Sequence, residues 1–141
     1  MAAHVTKISE KVDLQNKERP RERVLLSKES DLMIALNVYQ PGSRNEFHYH
    51  KGTSQSFLCM KGELTIRTKE SEDAEPVAHH LTEGMCVLVP ANQYYQLDNE
   101  SDAPVLLYQV KKPGDEIIVA GKGKLSNADY FTKARQKEAV L

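Results

Sequence analysis

From Arg23 onward the chain alternates short apolar runs with turn signals. "RVLLS" (23–27) and "LMIALNVYQ" (32–40) lead to "PGS", and "SFLCM" (56–60) leads to "KGE". "LTIRT" (64–68) runs into a charged loop, "KESEDAEP" (69–76), followed by "VAHHL" (77–81), the turn "TEGM", "CVLVP" (86–90), "QYYQLDN" (93–99), the turn "ESDAP" and "VLLYQV" (105–110). About eight short strands at this spacing predict an all-β sandwich or barrel and exclude a βαβ alternation. Glycine follows at Pro41-Gly42, Lys61-Gly62 and Glu83-Gly84, where strands must reverse and a positive φ is needed.

Two segments fall outside this pattern. Residues 1–22 are polar with isolated aliphatics and form an N-terminal arm that is either mobile or laid on another surface, closed by Pro20. The barrel is expected over 23–120. Residues 121–141 form a tail that reads as helix over "SNADYFTKARQKEAVL", with Ser126 or Asn127 as its cap. The charged loop reads as a solvated hairpin tip.

Composition narrows the function classes. A length of 141 residues suits one domain with a real core. The 19 basic and 20 acidic residues nearly cancel, so charge gives no argument for nucleic acid or an anionic membrane as partner. No apolar stretch is long enough to span a bilayer and the N-terminus lacks a signal-peptide pattern, so a cytoplasmic protein is expected by default. Cys59 and Cys86 lie in separate apolar runs without zinc-type spacing and are expected as buried free thiols.

The candidate chemistry centres on "EFHYHKGTSQSFLCM" (46–60). Strand alternation puts Glu46, His48 and His50 on one face, and two imidazoles at that spacing can reach one point. Phe57 and Cys59 follow Gln55 on a common face, so they line the interior below it as pocket or plain core. His79 and His80 lie on a strand of their own and are expected at the surface, and His4 belongs to the arm.

The spacing of Gly42, His48, His50, Gln55 and Gly62, followed by Gly84, Pro90 and Asn99, resembles the two consecutive signatures of the cupin family across residues 42–99. That resemblance implies a small jelly-roll β-barrel with the motif residues pointing into its mouth. It also implies a divalent metal (Fe, Mn, Ni, Zn or Cu) held by His48, His50, Gln55 and Tyr95. Two of those four positions depart from the family pattern, because Gln55 stands for glutamate and Tyr95 for the third histidine. Asn92 further replaces a glycine. Glutamine brings no charge, and a phenol near pKa 10 ligates only if a cation depresses it strongly, so weak or substrate-dependent metal binding is expected.

Glu46 is a candidate for the missing carboxylate or for orienting a histidine, and Tyr95 and Glu46 are the candidate proton-moving groups. Small cupins commonly dimerise through N-terminal strands, so a homodimer is expected. The expected function is a metalloenzyme acting on a chelating oxygenated substrate, with dioxygenase chemistry ahead of isomerase or lyase chemistry on family frequency. The alternatives are a non-catalytic ligand binder and a metal-free His/Tyr isomerase or dehydratase. A regulator that joins such a barrel to a DNA-reading helix-turn-helix is not expected.

Overall fold

The structure is a computed structural model that describes residues 2–113, 116–121 and 123–126. Among the described residues a 3₁₀ turn, Ile8–Glu10, precedes eleven strands: β1 (Arg21–Lys28), β2 (Met33–Tyr39), β3 (His48–Lys51), β4 (Gln55–Lys61), β5 (Leu64–Lys69), β6 (Val77–Leu81), β7 (Cys86–Val89), β8 (Tyr94–Asp98), β9 (Val105–Lys111), β10 (Glu116–Val119) and β11 (Gly123–Ser126). They form two antiparallel sheets, ordered β1-β2-β9-β4-β7 and β11-β10-β3-β8-β5-β6. The fold is all-β, a jelly roll in which the two sheets enclose one core.

Period-2 patterning explains which side chains enter that core. On β4, Gln55, Phe57 and Cys59 are buried while Ser56, Leu58 and Met60 face outward. Leu64 and Ile66 of β5, Leu97 of β8 and Val105 and Leu107 of β9 meet Phe57 and Cys59 between the sheets. Burial pushes the Cys59 thiol up from its ordinary pKa, with Glu83 adding to the shift, which suits an inert core thiol. Cys86 corrects the expectation of two buried thiols. It is exposed because it pairs with Leu58 on the outward parity of the β4–β7 ladder.

The arm lies on the outer face of the chain's own five-stranded sheet. Ile8, Val12 and Leu14 pack against the buried cluster of Leu36, Val38 and Leu106. The Gln40 amide nitrogen donates to the carbonyls of Leu14 and Asn16 and pins the arm's end. The polar arm thus carries three aliphatics that complete a second, smaller core.

The sheet runs past residue 120, since Glu116–Val119 pairs with both β3 and Gly123–Ser126. Ser126 ends a strand there, and the helix expected over 126–141 otherwise lies outside the described residues. Among the described residues no helix is long and apolar enough to cross a membrane.

Gly62 shows how tightly one turn is specified. Its φ is +81°, and a Cβ placed there would meet the Pro104 carbonyl oxygen at 2.6 Å. Gly62→Ala therefore combines a left-handed backbone with a main-chain clash. It is expected to lower unfolding free energy by about 1–3 kcal/mol in urea titrations, whereas Gly84→Ala, with nothing within 4 Å of its Cβ, is expected to cost less.

Candidate functional site

The site is built on β3, β8 and β9, which converge at one end of the barrel interior. His48 and His50 share the inward face of β3, at 2% and 4% exposure. His48 lies directly opposite Tyr95 of β8 in the ladder, so a register contact delivers the phenol to the pair. Tyr95 is itself 3% exposed, and its ring packs 5.8 Å from that of Phe57.

A local device holds β3 in this position. Asn92 has φ +68°, and asparagine is the residue after glycine that best tolerates this region. Its N–H donates to the His50 carbonyl and its side-chain oxygen accepts from the Gly52 N–H, so the loop before β8 grips the strand that carries both histidines. Asn99, at the end of the second motif, is fully buried. It donates to the Tyr39 and Ala103 carbonyls while accepting from the N–H and hydroxyl of Ser101. These two motif residues act as scaffold.

The hydrogen-bond partners assign the protons. His48 Nδ1 sits 2.7 Å from the Glu46 carbonyl oxygen, so Nδ1 carries the hydrogen and donates. Its Nε2 is then an acceptor, 3.0 Å from the Tyr95 hydroxyl, which donates to it. The second imidazole has the opposite tautomer. Lys111 Nζ, which offers only hydrogens, stands 3.3 Å from His50 Nδ1, so that nitrogen accepts. His50 Nε2 therefore carries the hydrogen and donates to the Tyr95 oxygen over 3.2 Å. An unbroken chain runs from Lys111 through His50, Tyr95 and His48 to the Glu46 main chain.

Electrostatics agree with this arrangement. The His48 pKa is lowered to about 3, first by burial, then by His50 and by the positive charges of Lys111 and Arg21. The Glu46 carbonyl only partly offsets them. Burial and these neighbouring positive charges both disfavour a proton on His48.

Whether a divalent cation fits can be judged from these groups. The spacing of the two Nε2 atoms about the Tyr95 oxygen resembles three ligands of one ion, but the protons and charges do not. His50 Nε2 bears a hydrogen, Tyr95 is a phenol, and the Gln55 carbonyl oxygen accepts from Gln109 Nε2 at 2.8 Å. Among the described residues no three His, Cys, Asp or Glu side chains come together. A buried ammonium, Lys111 at 4% exposure, stands beside one imidazole. This donor set does not fit a resident divalent cation.

The candidate residues named from the sequence are thus divided. His48, His50 and Tyr95 come together. Gln55 belongs to a neighbouring row of amides in which Asn37 Nδ2 donates to Gln109 Oε1 at 2.9 Å and Gln109 Nε2 donates to Gln55. Phe57 and Cys59 are core. Glu46 meets the pair through its carbonyl oxygen. His79 and His80 are exposed, as expected, and make side-chain contacts with Thr68 and Glu63. Sequence reasoning missed Lys111, Gln109, Asn37 and Arg21. A signal existed for three of them, because Asn37, Gln109 and Lys111 occupy inward parities of otherwise apolar strands.

An uncharacterized protein of Acanthamoeba polyphaga mimivirus is 28% identical over 99 residues, which is 70% of this chain, and the chain spans 60% of that relative's length. A Klebsiella pneumoniae protein with a double-stranded beta-helix domain superposes with a TM-score of 0.70 at 19% identity, covering 86% of this chain and 98% of that one. A sugar phosphate isomerase of the cupin superfamily from Silicibacter pomeroyi gives 0.64 at 19% identity, covering 78% and 73%. At such identities these structures establish the fold alone. The profile of the cupin domain matches residues 35–111, from inside β2 to the end of β9, and so spans both histidines, Tyr95 and the amide row. The jelly roll, the two motifs and this match together place the chain in the cupin family.

Proposed function

We propose that this cupin binds a small oxygen-rich anion, a carboxylate or phosphate ester carrying a carbonyl or hydroxyl group, and moves a proton on it without a resident metal. The observation that carries this reading is the Tyr95 hydroxyl held 3.0 Å and 3.2 Å from two imidazole nitrogens of opposite tautomer. Such a phenol has an acceptor for its proton on one side and a donor for its oxygen on the other. It can pass its proton to a ligand oxygen, or toward His48 Nε2, while His50 N–H stabilises the phenolate that forms.

Charge selects both the ligand and the moment of transfer. With a pKa near 3, His48 is too weak a base to take the phenol proton at rest. A bound anion opposes the Lys111 and Arg21 charges that help to depress it, so the base strengthens when ligand is present. The reaction class that suits these groups is isomerisation or dehydration next to a carbonyl. The similar Silicibacter pomeroyi structure bears the name of a sugar phosphate isomerase, which is consistent with this class. We further propose a single barrel spanning 23–126 with the arm as its outer cover.

Metal-stripped protein in EDTA is expected to bind malonate in calorimetric titration and to catalyse deuterium exchange at the carbon beside the carbonyl of 2-oxo acids or ketose phosphates in D2O. Tyr95→Phe is expected to lose the exchange. Binding and exchange that appear only after a divalent ion is added would contradict the proposal.

A further inference from the structure

Three buried amides cross the inner face of the five-stranded sheet: Asn37 on β2, Gln109 on β9 and Gln55 on β4, at 8%, 5% and 2% exposure. Their hydrogen bonds run one way. Asn37 Nδ2 donates to Gln109 Oε1 at 2.9 Å, and Gln109 Nε2 donates to Gln55 Oε1 at 2.8 Å. An amide has one acceptor end and one donor end, so each bond in such a row fixes the orientation of the next. At the far end Asn37 lies opposite Arg23 of β1 in register, and the Arg23 guanidinium donates to Met33 Sδ.

The near end is Gln55, at the position where the family pattern has a carboxylate. Its oxygen is taken by Gln109, and among the described residues no acceptor contacts its Nε2. We infer that Asn37 and Gln109 are specificity-determining positioning residues: they commit Gln55 to present N–H groups, so the site reads an acceptor oxygen of the ligand and turns away a cation. This inference rests on the anion-binding function proposed above and gives it a second recognition element, separate from Lys111 and Tyr95.

The direction of the row can be measured without any ligand. In uniformly ¹⁵N,¹³C-labelled wild-type protein, a through-hydrogen-bond coupling is expected from Gln109 Nε2 to the Gln55 side-chain carbonyl carbon. A coupling from Gln55 Nε2 to the Gln109 carbonyl carbon would overturn the inference outright. Asn37→Asp supplies the functional arm. Its carboxylate cannot donate, so Gln109 turns its nitrogen toward residue 37, its oxygen accepts from Gln55, and Gln55 shows its carbonyl to the site.

Malonate affinity is expected to fall about tenfold or more in Asn37→Asp, the weight of one hydrogen bond to a charged acceptor. An unchanged affinity alongside the expected wild-type coupling would overturn the specificity role. Failure of wild-type protein to bind malonate, with the coupling as expected, would count against the anion-binding function and uphold the committed orientation of Gln55. Because the coupling is read in wild-type protein, the inference stays falsifiable even if the variant does not fold.

Discussion

Lowering the pH from 7 to 4 is expected to destabilise this protein by about 3 kcal/mol through His48 alone, from the 1.36 kcal/mol that each pKa unit represents. In the fold this imidazole titrates near 3, in the unfolded chain near its ordinary 6.5. Between those values the unfolded chain binds a proton that the folded chain does not, so stability rises with pH across the window and is lost as pH falls through it. Above 6.5 the term vanishes. Near pH 3 it approaches a ceiling on the order of 5 kcal/mol. Carboxylates also contribute to acid denaturation, so the measurement is differential. Urea unfolding of wild type and His48→Gln at pH 7 and pH 4 is expected to show the wild type losing more stability by roughly that 3 kcal/mol. Parallel losses in the two proteins would mean that His48 is not buried neutral.

Much of the architecture behind this prediction was legible in the sequence, for identifiable reasons. Alternating runs bounded by glycine turns reported the strands because one face of each is dry. Glycine at 42, 62 and 84 has positive φ in every case. The resemblance to the cupin motifs implied that His48, His50 and Tyr95 share one site, but not that His48 and Tyr95 pair in a ladder. Other features were hidden. Glu116–Val119 and Gly123–Ser126 escaped because runs of four residues beside glycines carry little periodic signal. Lys111 lies just beyond the apolar run "VLLYQV", where a lysine looks like a strand end, yet parity carries it inward, where its ammonium meets His50 Nδ1. Sequence spacing can locate two imidazoles, but it does not report which nitrogen of each bears a hydrogen. That depends on Glu46 O and Lys111 Nζ, partners supplied by the fold. Which ions the motif residues can hold depends on those hydrogens.

Restoring the family's ligand chemistry is expected to create what the natural residues lack. In a Gln55→Glu, Tyr95→His, Lys111→Met variant, the site would hold three imidazoles and a carboxylate, and the ammonium that fixes the unfavourable tautomer of His50 would be gone. Neutral imidazoles and carboxylate are favoured ligands of Mn, Fe, Ni and Zn ions. Binding of one Mn2+ or Zn2+ per chain is expected, tighter than wild type by at least about a hundredfold, because each added charged or imidazole ligand is worth more than the 1.4 kcal/mol of a tenfold step. Titration calorimetry, with circular dichroism to verify the fold, reads the result. Equal affinity in variant and wild type would mean that the substitutions at 55, 95 and 111 do not govern metal binding. On the proposed function the natural combination is one set: Gln55 without charge, Tyr95 as a proton carrier and Lys111 as an attractor of anions.

The most direct test of the central claim, that Tyr95 and not a metal ion joins His48 to His50, is elemental analysis of untagged protein purified without chelator, before and after incubation with Mn2+, Fe2+, Ni2+, Zn2+ and Cu2+. The expected result is a metal content far below one ion per chain, unchanged in a His48→Ala/His50→Ala variant. Near-stoichiometric metal that disappears in that variant would contradict the account and return the site to the metal-dependent chemistry implied by the motif.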